Sequence, residues 1–293
     1  MKCKICDSTG IKVVGNLPLN LPGTAICTEL FKCSNCGSYS RGADYSDPAV
    51  QRHFENTSYT DLRFEREFLE SKRIYFDYLL DSIERFFPAK ATLSLLDVGA
   101  SYGHLLDQCR VRGHAAAAVE LVSTLRQRLE QRGYVAYRTV EEVPPEQKFD
   151  VITFIDSLYY LEEPFEILRR ASSILQEDGL LLIRIPNRTP ILDAARALKM
   201  EITTSLFLDS KHNYSYKGIK ILCERAGLSI ERVDWRERGK KPIINEKGGK
   251  MPLVKRVYGA LSTFLCSLPL GSLKYQVAPG LIFYCRKSTL DHI

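Results

Sequence analysis

Residues 95–106 read LLDVGASYGHLL: an apolar run, an acid, then a loop with two glycines. LSLLDV (93–98) has the unbroken apolar character of a buried strand, and the residues after Gly103 continue as a helix through 112. The same alternation runs outward from it. Strands are predicted at 115–121, 134–137, 149–156, 179–187, 228–235 and 281–287, and helices at 123–132, 164–176 and 215–226. This is the pattern of an α/β fold, a doubly wound, mostly parallel seven-stranded sheet of Rossmann-like type. Upstream, Phe68, Leu69, Tyr75, Phe76, Leu79, Leu80, Ile83, Phe86 and Phe87 recur at helical spacing within 48–87, and Pro88 ends the pattern. Their aromatic stripe is expected to pack on the following domain.

In such a sheet, ligands sit beyond the carboxyl ends of the strands. Asp97 closes the first strand there, and Gly99 and Gly103 follow. Glycine admits φ > 0 and lets backbone approach a ligand without a Cβ in the way. The next helix presents free N–H groups at its start. Glu120 closes the second strand 21 residues after Gly99, where a carboxylate can accept from both hydroxyls of a ribose. A dinucleotide fold prefers G-x-G-x-x-G. Here the spacing is G-x-x-x-G with an acid two residues before the first glycine. A pyrophosphate gains nothing from that acid, whereas a sulfonium bearing an α-amino group does.

DVGASYG resembles the D/E-x-G-x-G-x-G loop of the class I S-adenosylmethionine-dependent methyltransferases, with Ser101 in place of the middle glycine. FDVITFIDSLYYLEEP and ILQEDGLLLIRIPN are similar to that family's fourth- and fifth-strand segments, and the resemblance covers about 90–287. Many relatives carry a histidine where this chain has Tyr160. The resemblance implies cofactor contacts from Asp97, Gly99, Ala100, Ser101, Gly103, Glu120 and Leu121. It adds Val140, within the adenine-framing stretch 139–142, and Asp156, Ser157 and Leu158. Tyr59 is a candidate cover for the methionine end.

Near the N-terminus, Cys3-x-x-Cys6 and Cys33-x-x-Cys36 are separated by 26 residues. Two such knuckles complete a tetrahedral S₄ shell, the closed geometry of structural zinc, with no open position for a water. No thioredoxin-like βαβ surrounds either pair, which disfavours a redox pair. The expected organisation is a zinc ribbon over 1–42, a helical linker over 43–88 and a methyltransferase domain over 89–293, with a basic, apolar insertion at about 236–270. A ribbon of this spacing joined to this domain resembles the methyltransferases of deoxysugars and related metabolites. The ribbons of certain ribosomal RNA guanine methyltransferases use a different spacing and a histidine.

DSKHNYSYKGIKILCERAGL (209–228) resembles the segment in which small-molecule methyltransferases place a histidine before an aromatic pair. This implies His212 as general base, with Tyr214 and Tyr216 orienting substrate, and Tyr159 and Tyr160 as pocket candidates. Displacement at a sulfonium is in-line and needs alignment more than it needs a metal. The acceptor expected is a small molecule, a nucleotide-linked or lipid-linked sugar among the choices. The rival readings are a zinc-ribbon RNA methyltransferase and a non-catalytic cofactor-binding module.

Composition bounds these readings. Of the 293 residues, 45% are hydrophobic and 26% charged, as in an ordinary globular protein. The net charge of +6 is too mild to imply nucleic acid by itself. Eight Lys/Arg residues lie between Arg236 and Arg256, against only Glu237 and Glu246. The cluster Arg236, Arg238, Lys240 and Lys241 reads either as a solvated face or as a phosphate receiver. For 250–270 two readings stand: a helix covering the substrate mouth, or a segment resting on a membrane surface through Lys250, Lys255 and Arg256. The longest apolar run, 257–270, is short and holds a proline, so a spanning helix is not expected. MKCKICDSTG has no signal-peptide pattern and the nine cysteines are not spaced as a secreted scaffold, so a cytoplasmic location is expected.

Overall fold

The computed structural model describes residues 1–21, 24–45, 47–48, 50, 62–207, 210–235, 261, 264–268 and 270–288. Its centre is a seven-stranded sheet of order β10-β11-β8-β7-β4-β5-β6. These are β4 (Ser94–Val98), β5 (Ala115–Val119), β6 (Val135–Tyr137), β7 (Phe149–Ile155), β8 (Leu175–Pro186), β10 (Leu228–Asp234) and β11 (Gly280–Lys287). β4 to β8 run parallel, and β11 is antiparallel to both β8 and β10.

The apolar strands bury both faces, and alternation assigns each residue its side. Leu95, Val151, Leu180, Leu182 and Ile282 face α1 (Leu62–Glu84), where they meet Tyr75, Leu79, Leu80 and Ile83. From Tyr75 to Phe87 the predicted aromatic stripe therefore packs in the core, and Phe86 stacks on Tyr284 with ring centroids 5.4 Å apart. Leu96, Ile152, Phe154, Leu181, Ile183 and Phe283 face α4 (Pro164–Ser173) and α7 (Tyr216–Arg225). Two shorter helices, α2 (His104–Val111) and α3 (Ser123–Gln131), follow β4 and β5. α5 (Thr189–Ala197) and α6 (Thr204–Phe207) follow β8, and α8 (Lys274–Val277) precedes β11.

The N-terminal region carries a sheet of its own. β1 (Ile11–Leu21) and β2 (Thr24–Cys33) form a long hairpin, joined by β3 (Tyr39–Arg41). The fourth strand of this sheet is β9 (His212–Asn213), which pairs antiparallel with β3. The two-residue strand has no period of its own, so nothing local announces it. The second core cluster face is continuous with the ribbon: Cys3, Ile5, Cys33 and Cys36 pack in it with Leu158, Tyr214 and Ile219. Among the described residues no helix is long and apolar enough to cross a membrane. Of the segment 250–270, residues 261 and 264–267 are helical, 268 and 270 are not, and the rest lies outside the described residues.

Candidate active site

Asp97 and Thr153 are register partners on β4 and β7, and the Thr153 hydroxyl donates to Asp97 Oδ1 at 2.7 Å. Burial pushes the Asp97 carboxyl up to about 7, against the pull of Thr153, with Glu120 adding repulsion. The chain then turns sharply. Gly99 sits at φ 84°, Ser101 at 53° and Gly103 at 77°. At Gly99 the glycine is required twice over, since a Cβ there would also lie 2.5 Å from Ser157 Cβ. The N–H groups of Gly99 and Ala100 both donate to Val119 O, closing the loop against β5. Ser101 is a non-glycine residue in the left-handed region, a conformation that costs on the order of 1 kcal/mol.

Glu120 compensates. Its Oε2 accepts from Ser101 N at 2.7 Å and its Oε1 from Val122 N at 2.8 Å. The carboxylate thus fixes the glycine loop to the end of β5, and each oxygen keeps a further lone pair for a ligand hydroxyl. Burial raises its pKa, opposed by those two N–H donors. Arg126 holds the adjoining carbonyls of Glu120 and Leu121 at 2.8 and 3.0 Å. Val140 is buried in the single turn Val140–Glu142 after β6.

On the other side of β4, Asp156 directly follows β7 with φ 59°. It pairs with Arg184 of β8 and with Lys72 of α1, the latter at 3.3 Å. Neither cation was singled out by sequence reading. Arg184 was the legible one, a charge inside the apolar run GLLLIRIPN. Lys72 lies on an amphipathic helix, where lysines are ordinary. Ser157 donates to Val98 O, and the turn Leu158–Tyr160 follows, with Leu158 and Tyr159 buried. The structure therefore brings Asp97, Gly99, Ala100, Ser101, Gly103, Glu120, Asp156 and Ser157 to one edge of the sheet. Tyr59 lies outside the described residues.

Residues 210–216 sit elsewhere, in the seam between ribbon and sheet. His212 is 1% exposed. Its Nδ1 shares a hydrogen bond with Ser40 Oγ at 2.8 Å, and burial pushes its pKa down to about 3. A neutral imidazole this hard to protonate is a weak proton acceptor. Tyr214 is also buried and donates to Leu158 O at 3.2 Å. Tyr216 stacks on Tyr275 and Phe283, and Tyr159 and Tyr160 pack ring against ring at 4.6 Å.

The four cysteines Cys3, Cys6, Cys33 and Cys36 have their Sγ atoms within 4.8 Å of one another. Cys3 to Cys36 is 3.9 Å and Cys6 to Cys33 is 3.6 Å. Tetrahedral Zn–S bonds of about 2.3 Å put sulfurs about 3.8 Å apart, so this set fits a metal of that size. Both knuckles grip α7. Ser215, its N-cap, donates to Cys36 O, and Arg225, in its last turn, donates to Ile5 O at 2.8 Å. Lys4 reaches Glu162 at 2.7 Å, and Glu162 also pairs with Lys211 at 2.9 Å.

A family model described as "Methyltransferase domain" matches residues 71–233. The chain belongs to the methyltransferase domain family. It is an S-adenosylmethionine-dependent methyltransferase with a Rossmann-like fold. A ubiquinone biosynthesis O-methyltransferase of Xanthomonas axonopodis pv. citri (strain 306) is 30% identical over 165 residues, covering 50% of this chain and 69% of the relative. The protein of the same name from Xanthomonas euvesicatoria pv. vesicatoria (strain 85-10) is 29% identical over the same shares. In fold, the methyltransferase is similar to the plantazolicin methyltransferase BamL, solved in complex with a triazolic desmethylPZN analog and SAH. The TM-score is 0.53 at 14% identity, covering 80% of this chain and 92% of that one.

Proposed function

We propose that this methyltransferase transfers a methyl group to an oxygen nucleophile on a small metabolite. The observation that carries this is the convergence of Asp97, the Gly99–Gly103 loop and Glu120 on one sheet edge, with Asp156 beside them. The name shared by the curated relatives supports an oxygen acceptor of small-molecule type. A sugar hydroxyl, free or carried on a nucleotide or lipid, belongs to the same chemical class. When bound, S-adenosylmethionine supplies an activated methyl on a sulfonium, whose displacement releases a neutral thioether.

The chain supplies alignment. Glu120 receives the ribose hydroxyls, Asp97 faces the α-amino group, and Leu121 and Val140 frame the adenine. Ser157 and Leu158 close the cofactor side, while Asp156, held by Arg184 and Lys72, orients the acceptor. His212 and Tyr214 act as positioning residues: they seat the turn 158–160 from behind, through Tyr214 Oη and the β3–β9 pairing. Zn²⁺ on Cys3, Cys6, Cys33 and Cys36 is structural in this reading, since four thiolates leave no open position.

The test is titration with S-adenosylmethionine, followed by methyl-transfer assays on quinols, catechols, free and nucleotide-linked sugars, and RNA. Cofactor binding and turnover on a small hydroxylated acceptor are expected. Methylation of RNA alone would overturn the proposal. For the histidine, the pH–rate profile of His212→Gln should keep the acid limb of the wild type at reduced kcat. Loss of that limb would restore His212 as the base.

A further inference from the structure

The turn after β7 is fixed residue by residue, and the bonds come from several elements. Ser157 Oγ donates to Val98 O, and its Cβ fills the space beside Gly99. Leu158 O accepts from Tyr214 Oη at 3.2 Å, and Tyr159 O from Lys211 N at 2.9 Å. Tyr160 N donates back to Ser157 O at 3.0 Å, and its side chain packs on the ribbon-side cluster of Leu19 and Tyr45. Two positions on, the Glu162 side chain is only 17% exposed. Its Oε1 accepts from Lys4 at 2.7 Å, and its Oε2 from Tyr45 N at 2.8 Å and from Lys211 Nζ at 2.9 Å.

Lys211 supplies the other half of this joint, and it is buried. Besides pairing with Glu162, its Nζ donates to Ala43 O, and its own carbonyl accepts from Arg41 N at 2.8 Å. One residue thus ties the chain leaving β3 to the turn. It meets the turn twice, at Tyr159 through the backbone and at Glu162 through the ion pair. A turn held at one point can pivot; held at two points three residues apart, it cannot. A buried ammonium is tolerated only when paired and hydrogen-bonded, so the pair requires ribbon and turn to be seated together. The sheet carries a similar pair at its opposite edge. Asp150, the second residue of β7, accepts from Ser94 N at 2.8 Å and from Lys90 at 2.7 Å. That pair lies at the start of β7, whereas Ser157 lies beyond its end.

We propose that Glu162 and Lys211 are positioning residues for cofactor binding: their ion pair locks the turn 157–160 to the ribbon and so seats Ser157 and Leu158 against S-adenosylmethionine. The proposal rests on the methyl-transfer reading of the sheet edge and gives that edge a support drawn from the ribbon. An ion pair that only adds stability would lower Tm and leave cofactor affinity alone. The Lys90–Asp150 pair is the comparison for that simpler role, since it holds strand ends far from the glycine loop.

The experiment is calorimetric titration of the full chain with S-adenosylmethionine, with a thermal melt for each variant. Glu162→Gln and Lys211→Met should each weaken binding about fivefold. The double variant should bind no more weakly than the weaker single, because both act through one contact. Asp150→Asn should lower Tm and leave affinity within about twofold of wild type. Unchanged affinity in both single variants would overturn the proposal, as would an equal loss in Asp150→Asn. Amide exchange followed by NMR reads the same joint without any variant. Adding S-adenosylmethionine to wild type should slow exchange at Tyr160, Lys211 and Tyr45 together, about fivefold. Slowing confined to residues 97–122 would count against the joint and sink the proposal. Wild type that binds no S-adenosylmethionine would instead overturn the methyl-transfer reading. The joint would then be judged by exchange at Tyr160 without cofactor: faster in Glu162→Gln if the pair seats the turn, unchanged if it does not.

Discussion

At the glycine edge, Gly99, Ser101, Gly103 and Asp156 all hold φ between 53° and 84°. At the ribbon seam positive φ is confined to the knuckle ends, Asp7 at 58° and Gly37 at 76°, and the joint is made by partners distant in sequence: Ser215 to Cys36, Arg225 to Ile5, Lys4 to Glu162. The first region stores its specificity in conformation, the second in pairing. Damage should therefore spread differently. A wrong side chain in the loop misplaces a ligand, whereas a wrong one in the seam releases an entire element.

The sharpest way to break this contrast is at the metal. Cys33→Ser/Cys36→Ser, or chelation, should lower Tm by on the order of 10 °C, because knuckle, β3, β9 and the α7 N-cap share one network. Elemental analysis should find one zinc per wild-type chain and none in the variant. An unchanged Tm would mean that the seam stands without metal and that pairing is not its source of strength. Next, Glu120→Gln should weaken cofactor binding by about 30-fold or more, by losing charge-assisted bonds, and cost about 1–3 kcal/mol of stability, since the amide nitrogen can accept from neither Ser101 N nor Val122 N. Calorimetry reads the first and a thermal melt the second.

Gly99→Ala should cost about 1–3 kcal/mol, from φ 84° and the clash with Ser157, and weaken cofactor binding about tenfold. The companion change Ser157→Gly should relieve the clash and recover part of the loss. The smallest expected effect is that of pH on Asp97. Its folded pKa, about 7, lies above the ordinary 3.8. Between these values the folded state keeps a proton that the unfolded state has lost, so this group drains stability as pH rises through that window. A cationic α-amino group favours the ionised form, so cofactor affinity should rise several-fold from pH 6 to pH 8. In Asp97→Asn that rise should flatten, leaving other titrations only.

Legibility in the sequence followed the same divide. The glycine loop and Glu120 could be read because a strand end, a turn and a second strand end fix each other over some twenty residues. The parallel sheet was legible for the same reason, from apolar runs such as GLLLIRIPN. The CxxC pairs announced their sulfurs but not their surroundings. The burial of His212 was not readable, because the partner that buries it, Ser40, lies 172 positions away. The Asp156–Arg184–Lys72 set was hidden likewise: its members belong to three elements and only Arg184 interrupts a pattern.

The two-residue strand β9 bears on how the chain assembles as it leaves the ribosome. The first three strands of the ribbon sheet are complete by Arg41, but their neighbour arrives only with His212 and Asn213. At synthesis rates of about 5–20 residues per second, that is a delay of roughly 10–30 s. For that time the β3 edge is open, next to a cysteine cluster able to take up metal. The β3 edge therefore stays open while the intervening residues are made, and it closes only after His212 and Asn213 have emerged.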